Sequence, residues 1–130
     1  MQNTNHFSFT KLLVNDLEAS AMFYKTVCGL KELGRVDAEI AGRRISEILF
    51  NATGTGGATF VLLKFTDTDR VYTDEVIIGF VTGDLEAFVA RTVAAGGGVV
   101  TPIREQREHG VKVAFLQDIE GHLLEVVEML

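Results

Sequence analysis

Hydrophobic and polar residues follow one another in two regular ways along the first part of this chain. From His6 to Val14 they alternate over enough positions to predict a β-strand, with Phe9 and Lys11 on the same face. From Leu17 to Cys28 an apolar residue recurs every three or four positions, which predicts an amphipathic helix. Asp16 is suited to begin this helix, because its carboxylate can accept hydrogen bonds from the free N–H groups of the first turn.

The rest of the first half predicts three more strands. Leu30–Arg35 is interpreted as a strand, and the charged segment Val36–Arg44 as a loop. Ile45–Asn51 and Ala58–Phe65 are apolar runs joined by a glycine-rich turn, which predicts a hairpin. The polar residues 66–74 include three aspartates and are the best candidate for a linker.

The second half repeats this order of elements. A strand is predicted over Glu75–Val81, and a helix then runs from an Asp84 cap to the glycines at 96–98. A short strand is predicted at Val99 and Val100, ending before Pro102. A charged loop is predicted at Arg104–Gly110. The two final strands are predicted at Val111–Leu116 and Leu123–Val127.

The sequence Asp-Leu-Glu-Ala begins both predicted helices, at position 16 and again 68 residues later. Such a repeat indicates two copies of one structural unit, each with the order β-α-β-β-β. One helix cannot cover a whole sheet face, so we expect the two units to share a core. The predicted fold is α+β, with a curved, cup-shaped mixed sheet and the helices outside it. It forms one domain over residues 1–130, with a first module at about 6–66, a linker at 66–74 and a second module at about 75–130.

Composition limits the classes of partner. The 130 residues carry a net charge of -6, which argues against nucleic acid, because binding to a phosphate backbone rests on Lys and Arg. No apolar run approaches the roughly 20 residues of a membrane span. The N-terminal residues lack the features of a signal peptide, and one cysteine cannot form an intramolecular disulfide. We therefore expect a cytoplasmic protein with neither nucleic acid nor membrane as a partner.

Three stretches resemble the vicinal oxygen chelate superfamily, the group of glyoxalases, bleomycin resistance proteins and extradiol dioxygenases. Val14–Leu30 is similar to that family's first strand and helix, and Phe80–Gly97 to its second. Phe115–Glu125 is similar to its closing turn and last strand. The resemblance implies paired βαβββ modules, a cavity in each half of the sheet that takes a small molecule, and frequently a homodimer.

Many members of this family bind a divalent metal, which chelates two neighbouring oxygens of the substrate. The resemblance puts the ligand positions at Phe9, Leu62, Ile77 and Glu125, and only Glu125 has a donor atom. A divalent site needs several oxygen or nitrogen donors from the protein. We therefore expect no cofactor and no metal at the usual site, although the resemblance by itself allows a divalent metal.

Glu125 and Lys11 are the candidates for catalysis. Glu125 is expected among apolar neighbours, where it acts as an acid or base or only pairs with a nearby cation. Lys11 is expected to bind an anionic ligand, to pair with Glu125, or to extend to solvent at the cavity rim. Phe9 makes the cavity suited to a planar apolar molecule. The candidate ligand-binding residues are Phe9, Lys11, Leu62, Ile77, His109 and Glu125.

The remaining candidates are the histidines and the cysteine. His109 lies in the charged loop, where the family often has a lid, and a metal site made of His6, His109 and Glu125 is left open. His122 is predicted on the face away from Glu125, and Cys28 in the core.

Three functions follow from these residues. The first, which we favour, is a metal-free protein of the bleomycin-resistance kind that binds a small, partly apolar molecule. The second is a superfamily lyase, isomerase or dioxygenase that uses a rearranged metal site or Glu125 and Lys11 as acid and base. The third is a structural or regulatory dimer whose cavity is filled by Phe9, Leu62 and Ile77.

Overall fold

A computed structural model describes residues 7–53, 58–69 and 73–130, and in them the chain forms two modules in series. The first consists of β1 (Phe9–Leu13), α1 (Leu17–Cys28), β2 (Glu32–Ile40), β3 (Arg43–Phe50) and β4 (Thr59–Phe65). The second consists of β5 (Ile77–Val81), α2 (Leu85–Ala94), β6 (Gly98–Gln106), β7 (Val111–Gln117) and β8 (Leu123–Met129), with a 3₁₀ helix at Arg107–His109. The α+β class and the paired β-α-β-β-β modules are confirmed. His6, the glycine-rich turn and part of the predicted linker lie outside the described residues.

Both helices begin as the repeated sequence predicts. The Asp16 carboxylate accepts a hydrogen bond from Ala19 N at 3.0 Å, and Asp84 accepts one from Ala87 N at 3.0 Å. Each bond satisfies an N–H group that a helix start leaves free. Gly29 ends α1 with a φ of 69°, a left-handed conformation that suits glycine. In the described part of the chain, neither helix is long and apolar enough to cross a membrane.

Each module forms one four-stranded mixed sheet, and the strand orders are β1-β4-β3-β2 and β5-β8-β7-β6. The strand before each helix pairs in parallel with the last strand of its module, and the other pairs are antiparallel. Lys11 is paired with Val61, and Gly79 with Glu125. Because Lys11 and Gly79 each precede their helix cap by five residues, Val61 and Glu125 occupy equivalent positions in the two modules.

The segment Val36–Arg44, predicted as a loop, is mostly strand. β2 continues to Ile40, and a tight turn at Ala41 and Gly42, both with positive φ, leads directly into β3. β2 is the edge strand of its sheet, and an edge tolerates charged and exposed residues. Its sequence therefore lacks the apolar alternation on which the prediction relied.

The second strand of the second module is also longer than predicted. β6 runs through Pro102 to Gln106, so most of the predicted loop at Arg104–Gly110 is strand and 3₁₀ helix. Proline cannot donate a ladder hydrogen bond, but an edge strand leaves one row of N–H groups unpaired. The register between β6 and β7 shifts between Val99 and Thr101 and again before Arg104, which accommodates the proline.

One hydrophobic core joins both modules, as expected. It contains helix-facing residues of both sheets together with both helices, including Leu12, Phe50, Leu62, Leu116, Leu124, Val126, Tyr24 and Leu85. The opposite side of each sheet carries the alternate residues, because successive side chains of a strand point to opposite faces. We call these sides the first and second open faces. The first open face includes Phe9, Lys11, Ile45, Glu47, Leu49, Thr59 and Val61, and the second includes Ile77, Gly79, Val81, Phe115, Leu123, Glu125 and Val127.

Candidate functional site

A cavity of about 320 Å³ lies on the first open face. Its walls are mostly apolar, and its lining residues come from all four strands of the sheet. They are Phe9, Lys11, Leu33, Glu47, Leu49, Thr59 and Val61. The structure thus brings two of the predicted ligand-binding residues, Phe9 and Lys11, to one cavity.

An ion pair lies in the lining of this cavity. Lys11 Nζ lies 2.9 Å from Glu47 Oε2, and the two side chains are 30% and 10% exposed. Lys11 pairs with Val61 in β4, and β3 lies beyond β4, so the ion pair spans the intervening strand. The ammonium also lies 5.6 Å from the centroid of the Phe9 ring. Because both charges have lost much of their water, each depends on the other for compensation.

Glu47 was absent from the predicted site residues. It lies between Ile45 and Leu49 on one face of β3, so a charge in an otherwise apolar series was visible in the sequence. The sequence does not reveal that β3 is separated from β1 by one strand only, and this order brings Glu47 to Lys11.

The expected alternative in which Lys11 pairs with Glu125 is wrong. Glu125 lies in β8 on the second open face, between Gly79 and Phe115, whereas Lys11 lies on the first. Glycine at position 79 has no side chain, so the space beside the Glu125 carboxylate is not filled from that side. Within the described ranges, Glu125 has no hydrogen-bond or ion-pair partner.

The placement of Leu62 in the cavity is also wrong, by one position. Leu62 is fully buried in the shared core, on the helix-facing side of β4. The position equivalent to Glu125 is Val61, which does line the cavity. A shift of one residue along a strand exchanges its two faces, so a small error in alignment changes the assignment completely.

The residues at the ligand positions that the resemblance implies do not fit a divalent metal. Phe9, Val61 and Ile77 offer only hydrocarbon, and Glu125 is the single carboxylate among the four positions. Glu47 adds a carboxylate on the first open face, but Lys11 already compensates its charge. Among residues 7–53, 58–69 and 73–130, no three His, Cys, Asp or Glu side chains are grouped as a metal site requires.

His109 and His122 lie apart from this cavity. His109 is exposed in the 3₁₀ helix between β6 and β7 and is not among the lining residues. The alternative site of His6, His109 and Glu125 includes a residue outside the described ranges, so it stays a prediction. His122 lies on the helix-facing side of the second sheet, away from Glu125.

His122 belongs to a buried network that sequence reasoning missed. Asp118 Oδ2 accepts a hydrogen bond from Tyr24 Oη at 2.8 Å and lies 2.8 Å from His122 Nδ1. His122 Nε2 lies 3.1 Å from the carbonyl oxygen of Leu13. Both ring nitrogens therefore face oxygen acceptors, an arrangement that favours the imidazolium form. Tyr24 and His122 are fully buried and Asp118 is 3% exposed, so the network does not reach the cavity.

Charge and hydrogen bonding decide the ionisation of this network. Burial alone would lower the pKa of His122, but the hydrogen bond and charge of Asp118 outweigh it and raise that pKa above its ordinary value. Burial alone would raise the pKa of Asp118, but hydrogen bonds from His122 and Tyr24 outweigh it and lower that pKa. Burial, reinforced by the Asp118 charge, raises the pKa of Tyr24 well above its ordinary value. The result is a buried ion pair with a neutral tyrosine beside it.

The turn that carries Asp118 also completes the start of α1 in the other module. We call residues 118–122 the closing turn. The Glu120 carboxylate accepts hydrogen bonds from Asn15 N and Asp16 N, each at 2.8 Å, and from Ser20 Oγ at 3.2 Å. A negative charge is stabilising at a helix N-terminus, where free N–H groups and the helix dipole are both positive. Residues of the second module thus hold a helix of the first.

Cys28 shows no sign of a reactive thiol. Burial raises its pKa to about 12, with Arg91 opposing the shift, so the thiol stays protonated at physiological pH. The sulfur packs against the shared core, which agrees with the prediction.

Comparison with known proteins agrees with this architecture. A family model described as the Glyoxalase/Bleomycin resistance protein/Dioxygenase superfamily matches residues 4–126. Among curated proteins, no sequence matches. A solved glyoxalase family protein from Bacillus cereus is similar with a TM-score of 0.84 at 17% identity, over 100% of this chain and 99% of that one.

Two further solved structures are similar at comparable identity. A hypothetical protein from S. aureus has a TM-score of 0.65 and 26% identity, over 96% of this chain and 97% of that one. A glyoxalase I mutant from Zea mays has a TM-score of 0.73 and 20% identity, over 93% of this chain but only 46% of that one. At 17% and 20% identity the likeness shows the fold alone.

Proposed function

We propose a function from the premise that this chain belongs to the Glyoxalase/Bleomycin resistance protein/Dioxygenase superfamily. The protein binds a small, partly apolar molecule in the cavity of the first open face, without the metal that many family members use. The observation that carries the proposal is the Lys11–Glu47 ion pair, set among apolar side chains of this cavity. Small-molecule sites are typically apolar cavities with a few polar groups that fix orientation.

The metal-free part of the proposal rests on the chemistry of the side chains. Three of the four positions that the family uses for ligands hold Phe9, Val61 and Ile77 in this chain. None of these side chains has a lone pair to donate, and a single carboxylate is a poor site for a divalent ion.

A superfamily enzyme is the second candidate, and Glu125 is the observation that favours it. Its carboxylate has no partner in the described ranges and lies beside the space left by Gly79, where it can exchange a proton with a bound molecule. Lys11 would take no part in that reaction, because it lies on the other open face. The filled-cavity dimer loses support, since a cavity of about 320 Å³ remains beside Phe9.

The proposal includes a homodimer and a cytoplasmic location. Ile77, Val81 and Met129 are each more than half exposed on the second sheet, and a second copy is the partner we propose for this apolar surface. Sedimentation equilibrium is expected to give twice the chain mass for wild type and the monomer mass for Val81→Glu. A wild-type monomer at all concentrations would exclude the homodimer.

One cysteine and no intramolecular disulfide favour the cytoplasm.

Indole, a neutral and partly apolar molecule, tests the binding function. We expect saturable shifts in the ¹H–¹⁵N spectrum confined to cavity residues such as Lys11 and Glu47. Thr59→Trp, which puts a large side chain into the cavity lining, is expected to abolish them, whereas Thr101→Trp on the second sheet leaves them unchanged. Shifts that do not saturate, or that persist in Thr59→Trp, would exclude a binding site in this cavity.

Elemental analysis tests the metal-free part separately. Protein purified without chelators is expected to contain far less than one equivalent of Mn, Fe, Ni or Zn. One equivalent of any of these metals, lost in Glu125→Gln, would contradict the proposal and favour the metal enzyme.

A further inference from the structure

The described polar groups of the cavity carry no net charge. Among the residues that the structure describes, three polar side chains line it, those of Lys11, Glu47 and Thr59. The charges of Lys11 and Glu47 cancel at 2.9 Å, and Thr59 has only a hydroxyl. The other lining side chains are apolar, so a ligand meets one compact polar spot in a hydrocarbon surface.

This polar spot offers a donor next to an acceptor. An ammonium has three N–H donors, and Lys11 uses one of them on Glu47 Oε2. Glu47 Oε1 accepts no hydrogen bond from any residue in the described ranges, and Glu47 lines the cavity. A bound molecule can therefore accept from Lys11 and donate to Glu47 without breaking the ion pair.

A charged ligand fits this spot poorly. An anion would approach Lys11 but would also meet the Glu47 carboxylate, and a cation would meet the Lys11 ammonium. Either ligand would leave one net charge in a mostly apolar cavity, where an uncompensated charge is costly. A neutral ligand with an acceptor beside a donor satisfies both side chains and adds no net charge.

We infer, on the basis of the proposed binding function, that the cavity takes neutral molecules with an apolar body and an edge that carries a hydrogen-bond acceptor next to a donor. Primary amides and related neutral groups belong to this class. Lys11 and Glu47 together are the specificity-determining residues. Each neutralises the charge of the other, so neither selects a ligand of opposite charge.

Three probes of nearly the same shape test this inference. Benzamide is neutral with adjacent acceptor and donor, benzoate is an anion, and benzamidinium is a cation. In NMR titrations of the full chain near neutral pH, benzamide is expected to bind wild type at least about tenfold more tightly than either ion, which corresponds to about 1.4 kcal/mol.

Substitutions are expected to reverse the preference in opposite directions. Glu47→Gln leaves Lys11 without its counter-ion, so benzoate becomes the tightest of the three probes. Lys11→Met leaves Glu47 unpaired, so benzamidinium becomes the tightest. The double variant Lys11→Met/Glu47→Gln removes both charges and keeps the volume, which guards against loss of folding in either single variant. It is expected to bind each ion less tightly than the single variant that favours that ion. Glu105→Gln, which removes an exposed carboxylate paired with Arg107, is the control and leaves all affinities unchanged.

The outcomes separate this inference from the function on which it rests. Tightest binding of benzoate or benzamidinium to wild type, or equal binding of all three probes, would overturn the neutral-ligand class. If indole binds in the cavity and none of the three probes does, the inference also fails while the binding function stands. If indole does not bind either, both fail.

Discussion

Asp118→Asn keeps the shape of one side chain and removes the negative charge from the buried network. Asp118 Oδ1 accepts hydrogen bonds from the backbone N–H groups of Glu120 and His122, and Oδ2 accepts from Tyr24 and faces His122 Nδ1. An asparagine has an acceptor at one end only. We expect its oxygen to keep the two backbone N–H groups, which places its NH₂ group against Tyr24 and His122.

The loss of unfolding free energy in Asp118→Asn follows from the hydrogen bonds that the substitution changes. His122 can accept from the asparagine only as the neutral tautomer, which still donates from Nε2 to the Leu13 carbonyl. Tyr24 then loses its acceptor. Hydrogen bonds to charged groups contribute about 1.5–3 kcal/mol and neutral ones about 1 kcal/mol. Two charge-assisted bonds are replaced by one neutral bond, and the burial cost of the charges is relieved, so we expect the free energy of unfolding to fall by about 2–4 kcal/mol.

The pH dependence of stability is expected to change as well. The pKa of His122 is raised in the folded state, so its contribution is fully present below its unfolded pKa of about 6.5 and is lost as pH rises through the folded pKa. Wild-type stability should therefore fall as pH rises above about 6.5, by up to about 1.4 kcal/mol per pH unit. Burial raises the pKa of Cys28 to about 12, but its own loss begins only above its unfolded pKa of about 8.5. In Asp118→Asn, His122 is neutral in the folded state, and the fall disappears.

Urea unfolding followed by far-UV circular dichroism at several pH values measures both effects. Asp84→Asn is the matched control, because it removes the same charge from an exposed N-cap at which asparagine is equally suited. It is expected to leave the pH dependence unchanged. If Asp118→Asn keeps the wild-type loss of stability with rising pH, His122 is not the charged partner, and the reasoning is refuted.

Three other predictions concern packing and reactivity. Gly97→Ala is expected to cost about 1–3 kcal/mol of unfolding free energy, because a Cβ there would lie 2.5 Å from a backbone oxygen; Gly34→Ala has open space and should be nearly neutral in the same urea unfolding experiment. Cys28 should resist a thiol reagent in the native protein and react fully in urea, so rapid native labelling would contradict its assignment to the core. Leu62→Ala is expected to cost about 2–5 kcal/mol as a core truncation, and Leu33→Ala, at the exposed side of the cavity, much less; equal costs would contradict the placement of Leu62.

The fold could be predicted from sequence wherever the determining interactions are local. Asp16 and Gly29 are adjacent in sequence to the helix that they begin and end, and the structure confirms both bounds of α1. β2 and β6 could not be predicted in full, because their residues are tolerated at an edge and carry no alternating pattern. Edge position is a property of the whole sheet.

The candidate site was only partly accessible to sequence reasoning for the same reason. Phe9 and Lys11 share a strand, so their common face follows from alternation alone. Glu47 required the order of the strands, and Leu62 required a register accurate to one residue. The network of Asp118 and Tyr24 joins residues 94 positions apart, and no local pattern in either segment indicates the partner.

Because of the closing turn, the start of α1 can be fully stabilised only after most of the chain has been synthesised. Glu120 lies 105 residues after Asn15, so the start of α1 leaves the ribosome long before the carboxylate that stabilises it. Contacts so distant in sequence form late, because the entropy of closing the intervening loop is lost before the contacts repay it. We therefore expect the first module to become stable only after the second has been synthesised. Because both modules also share one hydrophobic core, neither is expected to fold when produced alone.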